Sequence, residues 1–180
     1  MPLVSILMPV RDDLRTLPDC LESIRKQSLK DWELVAVDDG SSDGSGEFLL
    51  ETAAKDSRIR VLREHPRGIV SALNSGLAAC AGAYVARMDA DDRMRPKRLE
   101  MQFAFLQRET QVDFCGSRVE PFTEEGPVSE NVQRYHDWSN SLLTDALSYT
   151  HLRAHETRED RGLRVVRGKK KGGGGGGGGG

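Results

Sequence analysis

An α/β fold, with a Rossmann-like, mostly parallel sheet covered by helices on both faces, is predicted by three features of the 180-residue chain. Short apolar runs recur, apolar residues at helical spacing lie between them, and acidic residues gather immediately after the runs. Strands buried on both faces read as continuous apolar runs rather than as an alternation, which is the pattern of a parallel sheet.

The first run, Val4-Ser-Ile-Leu-Met8, is a strand expected to end at Pro9, and Trp32-Glu-Leu-Val-Ala-Val37 is a second, ended by Asp38-Asp39-Gly40. Between them Leu14, Leu17, Leu21 and Ile24 form one stripe on a connecting helix. Asp43 is placed as the cap of a second helix carrying Phe48, Leu49 and Ala53, followed by the strand Ile59-Arg-Val-Leu62. Ile69, Leu73 and Leu77 mark a third helix, and Ala83-Tyr-Val-Ala-Arg-Met88 a fourth strand running into Asp89. Pro96 suits the first turn of a fourth helix with Leu99, Phe103 and Leu106 on one face, and Val112-Asp-Phe-Cys115 reads as a fifth strand. Alternation of this kind implies ligand binding beyond the carboxyl ends of the strands.

Composition narrows the class. At 37% apolar and 30% charged, the chain is that of a water-soluble domain long enough for one substantial core. No window approaches the ~18 uninterrupted apolar residues of a membrane span, and MPLVSILMPVRDD lacks the order of a signal peptide, so a cytoplasmic location, or the cytoplasmic face of a membrane, is expected. Cys20, Cys80 and Cys115 are isolated thiols without disulfide or zinc spacing, and are read as small buried residues. Residues 148–180 hold 8 Lys/Arg against 3 Asp/Glu, which leaves residues 1–147 with 18 against 25 and a formal charge of -7. An acidic domain with 6% aromatic residues offers neither a basic stripe nor a stacking platform for nucleic acid.

Residues 1–147 are taken as the domain, and 148–180 as a non-native or disordered tail. Three Lys followed by nine Gly have nothing to bury. They are also what runs of A and of G encode, and Ser148-Tyr-Thr-His-Leu-Arg-Ala-His-Glu-Thr157 can be spelled by one frame of a common library adapter. The tail is therefore set aside from the fold.

The chemistry is expected after the strands: Pro9 to Asp12 after the first, Asp38-Asp39-Gly40-Ser41 after the second, Asp89-Ala90-Asp91-Asp92 after the fourth. Six of these residues are carboxylates, whose mutual repulsion in one crevice without counter-charge a divalent cation would relieve. If the fourth strand continues far enough, Asp89 and Asp91 fall on the same side of it. Hard oxygen donors suit Mg or Mn, which bind through one or two carboxylates while substrate phosphates complete the shell. A turn of capped, solvated acids accounts for the same triplet, and Asp38 to Asp43 also reads as a turn leading into a helix. In the functional reading Asp39 accepts a hydrogen bond from a nucleobase imide. A receiver domain also has an acidic Mg site on an open parallel sheet, but Pro9-Val10-Arg11 stands where its acidic pair would follow the first strand, and Gly116-Ser117-Arg118 where its Lys would follow the fifth.

Taken in order, VSILMPVRDD, ELVAVDDGSSDGS, RGIVSALNSGLAACAGAYVARMDADD and RMRPKRLEMQ resemble the successive motifs of family 2 inverting glycosyltransferases of the GT-A fold, over residues 3 to 145. The resemblance implies that Pro9 and Arg11 line a nucleobase, Asp39 hydrogen-bonds it, and Gly68 and Asn74 border the nucleotide. Asp89, Asp91 and Asp92 would serve the ribose, the metal and the diphosphate, with Asp91 the metal ligand of the DXD motif. It further implies a UDP-sugar donor with Mg or Mn, an acceptor such as a saccharide or lipid-linked glycan, and a place in polysaccharide biosynthesis. Arg11-Asp12 stands where Tyr-Asn is frequent and Cys80 where Arg is common, which leaves the nucleotide preference open.

The family's acceptor-activating base is a carboxylate beyond the point where this chain stops, so no catalytic residue is named and the chain is expected to be an inactive, donor-binding part that is incomplete at its C-terminal side. Glu124-Glu125 read as an exposed turn, and Arg134-Tyr-His-Asp-Trp138 is similar to the family segment that leads toward the acceptor half.

Overall fold

The computed structural model describes residues 1–123, 127–141 and 165–167. Its elements run β1 (Val4–Val10), α1 (Leu17–Arg25), β2 (Trp32–Asp38), α2 (Ser45–Lys55), β3 (Ile59–Arg63), α3 (Ile69–Ala79), β4 (Tyr84–Arg87), α4 (Arg98–Arg108), β5 (Phe114–Cys115), α5 (Glu130–Ser141) and β6 (Val165–Arg167). The sheet order is β3-β2-β1-β4-β6-β5. The first four strands are mutually parallel, and β6 is antiparallel to both β4 and β5. This is the mostly parallel α/β sheet expected. Three residues of the tail set aside above form β6, and the rest of 148–180 lies outside the described residues, as do Glu124-Glu125.

Every residue of β1 and β2 is buried, because both faces of the sheet are covered. Val4, Ile6, Met8 and Val10 of β1 pack with Leu17, Cys20, Leu21 and Ile24 of α1, Leu49 of α2, and Leu99 and Leu106 of α4. On the opposite face Leu7, Val35 and Val37 meet Ala72 of α3. Alternate residues of one strand thus feed two cores.

Several expected boundaries move. Strand β1 does not stop at Pro9 but runs through it to Val10, paired with Val37 and Asp38 of β2. Odd-numbered residues bond toward β4, as Leu3 just before β1 and Leu7 within it do in accepting from the Tyr84 and Met88 N–H groups. The β4 pairing ends at Leu7, so the N–H that Pro9 lacks faces a place where no ladder bond is required. Leu14 precedes α1 rather than lying on it, and Pro96 precedes the N-cap of α4, Lys97. Asp43 is not the cap of α2. That position is Gly44, at φ 97°, while Asp43 accepts from the Ser45 N–H at 2.9 Å and the Leu14 N–H at 2.8 Å, tying α2 to the loop after β1. The fourth strand begins at Tyr84 and ends at Arg87, and the fifth is only Phe114–Cys115.

The buried face of α3 shares only Leu73, which packs against the second core, with the predicted stripe. Ala72 and Gly76 are buried, whereas Ile69 and Leu77 are 52% and 53% exposed. Helix α3 rides so close to the sheet that a Cβ on Gly76 would lie 2.2 Å from Leu7 Cδ1 and 2.8 Å from Val37 Cγ2. Small residues four apart are what allow the approach. Gly76→Ala is therefore expected to destabilise the fold by about 1–3 kcal/mol in denaturant unfolding, despite alanine's better helix propensity.

Candidate functional site

The carboxyl ends of β2, β1 and β4 lie side by side, so the segments that follow them share one edge of the sheet. The first two are laced together by short polar side chains. Asp12, at φ 54°, donates its N–H to Ser41 Oγ at 3.0 Å and accepts from the Ser42 N–H at 2.7 Å. The Asp13 N–H donates to Ser45 Oγ at 3.0 Å. Asp12 is thus a staple in the loop, as Asx residues in left-handed positions commonly are.

Asp38 and Asp39 are adjacent and both buried, but they do different things. Asp38 accepts from the Ser41 N–H at 2.9 Å and from Arg63 Nε at 3.2 Å, so it closes its own turn and is neutralised by the paired residue of β3. Asp39 reaches sideways to the loop before α3. It accepts from the Arg67 N–H at 2.7 Å, the Gly68 N–H at 2.8 Å and Arg11 Nη1 at 3.3 Å. The Arg67 N–H, then the Gly68 N–H and the Arg11 guanidinium, hold the Asp39 carboxyl below the usual range against the opposing effect of burial. Gly68 is needed for its backbone rather than for space: its φ is 89°, and a Cβ there would meet nothing within 4 Å.

The third segment is a turn, not a continuing strand. The Asp92 N–H donates to the Asp89 carbonyl at 3.1 Å, so the two-residue alternation invoked for Asp89 and Asp91 does not apply. Ala90 is buried in the core and anchors the turn, while Asp89, Asp91 and Asp92 are half-buried. Cys20 Sγ lies 3.6 Å from the Asp89 carbonyl, and the Met94 N–H donates to Ser23 Oγ at 3.0 Å, so α1 supports the turn from below. Burial, with the charges of Asp92, Asp91, Asp13 and Asp89, pushes the Cys20 thiol up, which makes it a packing group and not a nucleophile. Cys80 and Cys115 are half-buried rather than buried.

Counter-charge, expected to be absent, is present. Arg11 sits on Asp39, Arg63 on Asp38, and Arg87 donates through Nε and Nη2 to Asp89 Oδ1 at 3.2 and 3.1 Å. Repulsion between bare carboxylates therefore does not by itself call for a cation. Among the described residues no group of three or more His, Cys, Asp or Glu side chains is placed to hold a metal ion. A hard divalent cation at the Asp89–Asp92 turn would take one or two carboxylates and draw its remaining ligands from a bound anion.

Of the other expected site residues, Pro9 is buried within β1, and Arg11 is exposed over Asp39. Asn74 is exposed in the second turn of α3, beyond the loop that Asp39 grips. Sequence reasoning missed the arginine partners. Arg87 was not legible as one, because the strand ends at it and Asp89 already lies in the turn, where strand alternation gives no guide. Arg63 was not, because only the register that pairs it with Asp38 reveals it.

Residues 5–157 match the family model described as Glycosyl transferase family 2. A Bacillus subtilis (strain 168) protein named as a glycosyltransferase, EpsE, is 38% identical over 127 residues, covering 69% of this chain and 46% of that protein. The crystal structure of Staphylococcus aureus TarS 1–349 in complex with UDP is similar at TM-score 0.61 and 22% identity, over 70% of this chain and 38% of that one. Mannosyltransferase PcManGT from Pyrobaculum calidifontis, in complex with GDP-Man and Mn2+, is similar at TM-score 0.63 and 19% identity, over 92% and 44%. At these identities the structures show a shared GT-A fold, and the chain spans less than half the length of each of these proteins.

Proposed function

Because the chain belongs to glycosyl transferase family 2, we propose that its strand-end crevice is the donor site of a metal-assisted, inverting glycosyltransferase that takes a UDP-sugar. The observation that carries the reading is the placing of Asp39 and the Asp89–Asp92 turn after β2 and β4, with β1 between them. Two strand spacings separate them by roughly 10 Å, a span that a nucleoside diphosphate can bridge.

In this reading Asp39 is the base-recognising group. Its two oxygens already accept from Arg67, Gly68 and Arg11, yet Oδ1 carries only one of these bonds and retains a lone pair for a uracil imide. Arg11 is the movable part. It is half-exposed and would swing off Asp39 to lie along the base, a planar cation against a π-face. Gly68 and Asn74 border the nucleotide, and Pro9 shapes the floor from within β1.

The turn residues Asp91 and Asp89, with Asp92, suit Mg or Mn. When bound, the cation would screen the diphosphate and stabilise it as the leaving group. Support comes from the donor chemistry of the turn and from the Mn2+ and GDP-Man of the similar mannosyltransferase. We assign this chain donor binding only, with the acceptor, its activating base and the polysaccharide being built left to the longer protein. No helix of the described residues is long and apolar enough to cross a membrane.

Calorimetry tests the assignment: UDP is expected to bind the chain more tightly with Mn2+ than without it. Equal affinity in both conditions, or no binding in either, would remove the donor site. Release of free sugar from a UDP-sugar would contradict the restriction of this chain to binding.

A further inference from the structure

We infer that Arg98 is a positioning residue for the Asp89–Asp92 turn, a buried cation that grips the end of β4 and holds the acidic turn in its metal-accepting arrangement; the inference rests on the donor-site reading above.

Arg98 opens α4 and is 6% exposed, a place where an apolar side chain would fill the same volume without the desolvation of a charge. Its contacts are few for a group with five donors. Nη2 donates to the carbonyl of Arg87, the last residue of β4, at 3.1 Å, and Nη1 lies 3.6 Å from Met88 Sδ. Nε finds no acceptor among the described residues. Burial pushes the guanidinium pKa down to about 10, opposed by charged groups that include Asp92 and Asp89. The cation therefore lies against the end of β4, and its bonds go to the residues that lead into the turn.

The mount of Arg98 is fixed from the other side. Buried Gln27, just past the Lys26 C-cap of α1, donates to the Arg95 carbonyl at 2.8 Å and accepts from the Leu99 N–H at 3.1 Å. The Ser28 N–H donates to the Pro96 carbonyl at 2.8 Å. With α4 locked to α1 on both sides of residue 98, the Arg98 guanidinium is a rigid post against β4. Arg87 is then held twice, by its carbonyl on Arg98 and by its guanidinium on Asp89.

The test measures UDP affinity of the whole 180-residue chain with and without saturating Mn2+ for wild type, Arg98→Met and Arg98→Lys, beside their thermal midpoints. Arg98→Met is expected to cut the Mn2+-dependent gain about tenfold, as loss of outer-shell support typically does, while metal-free UDP affinity is unchanged. Arg98→Lys keeps the charge but loses the fork, so it should fall between. A folded Arg98→Met chain with the wild-type gain and only a lowered midpoint would overturn the inference, because a purely structural residue behaves that way. If Arg98→Met does not fold, a wild-type gain in Arg98→Lys overturns it equally. Absence of any Mn2+ gain in wild type would instead remove the donor-site reading.

Discussion

Asp39→Ala is expected to weaken UDP binding roughly 10- to 100-fold, the equivalent of the ~1.5–3 kcal/mol carried by a hydrogen bond to a charged group. The effect has two sources. The alanine would remove the proposed acceptor for the base, and it strands the Arg67 and Gly68 N–H groups that now converge on one carboxylate. Asp39→Asn separates them, since the amide keeps one oxygen for the loop while its NH2 opposes a second N–H donor. Binding should fall nearly as far in Asp39→Asn, with a smaller loss of stability.

The pH dependence carries a matching sign. The folded-state pKa of Asp39 is lowered, so the stability it contributes is present in full above its unfolded value near 4 and is lost as pH falls through the folded value. Urea unfolding followed downward from pH 5 should show a shallower decline in Asp39→Asn than in wild type. Equal slopes would mean that the Arg67 and Gly68 bonds do not favour the charged form.

Asp91→Ala is expected to abolish the Mn2+-dependent part of UDP binding while sparing the metal-free part. Lewis-acid screening of a diphosphate is worth several kcal/mol, so the loss should be about 100-fold or more where the metal is saturating. Asp89→Ala should behave differently. Its Oδ1 is engaged by Arg87, so its removal frees a cation beside the turn as well as deleting a proposed ligand. That cation can meet the diphosphate directly, and metal-free UDP affinity is expected to rise modestly. Metal-dependent binding that survives intact in Asp91→Ala would move the metal elsewhere.

The sheet was legible because parallel strands buried on both faces are largely apolar, and Val4–Met8 and Trp32–Val37 are interrupted only by Ser5 and Glu33. What failed were inferences that depend on a neighbour. Pro9 ends a strand only if its N–H position is needed, and here β4 has already stopped. A stripe of Ile69, Leu73 and Leu77 points inward along its whole length only if the helix stands off the sheet, and Gly76 and Ala72 bring it closer on a face that keeps Leu73 alone of the three. The acids of the candidate site were visible for the same reason as the strands, as residues placed where strands end. Their counter-ions were not, because Arg63 reaches Asp38 only through strand register and Arg11 reaches Asp39 only through the meeting of two loops. The carboxylates alone suggested a site held together by metal. The structure gives Asp38, Asp39 and Asp89 arginine partners, so repulsion among them does not by itself require one.

A crystal structure of the chain grown with UDP and Mn2+ tests the central claim most directly. The account predicts the uracil imide on Asp39 and the Mn2+ on Asp91, with diphosphate oxygens completing its shell across the end of β1. A metal bound away from residues 89–92, or a uracil that leaves Asp39 covered by Arg11, would contradict it.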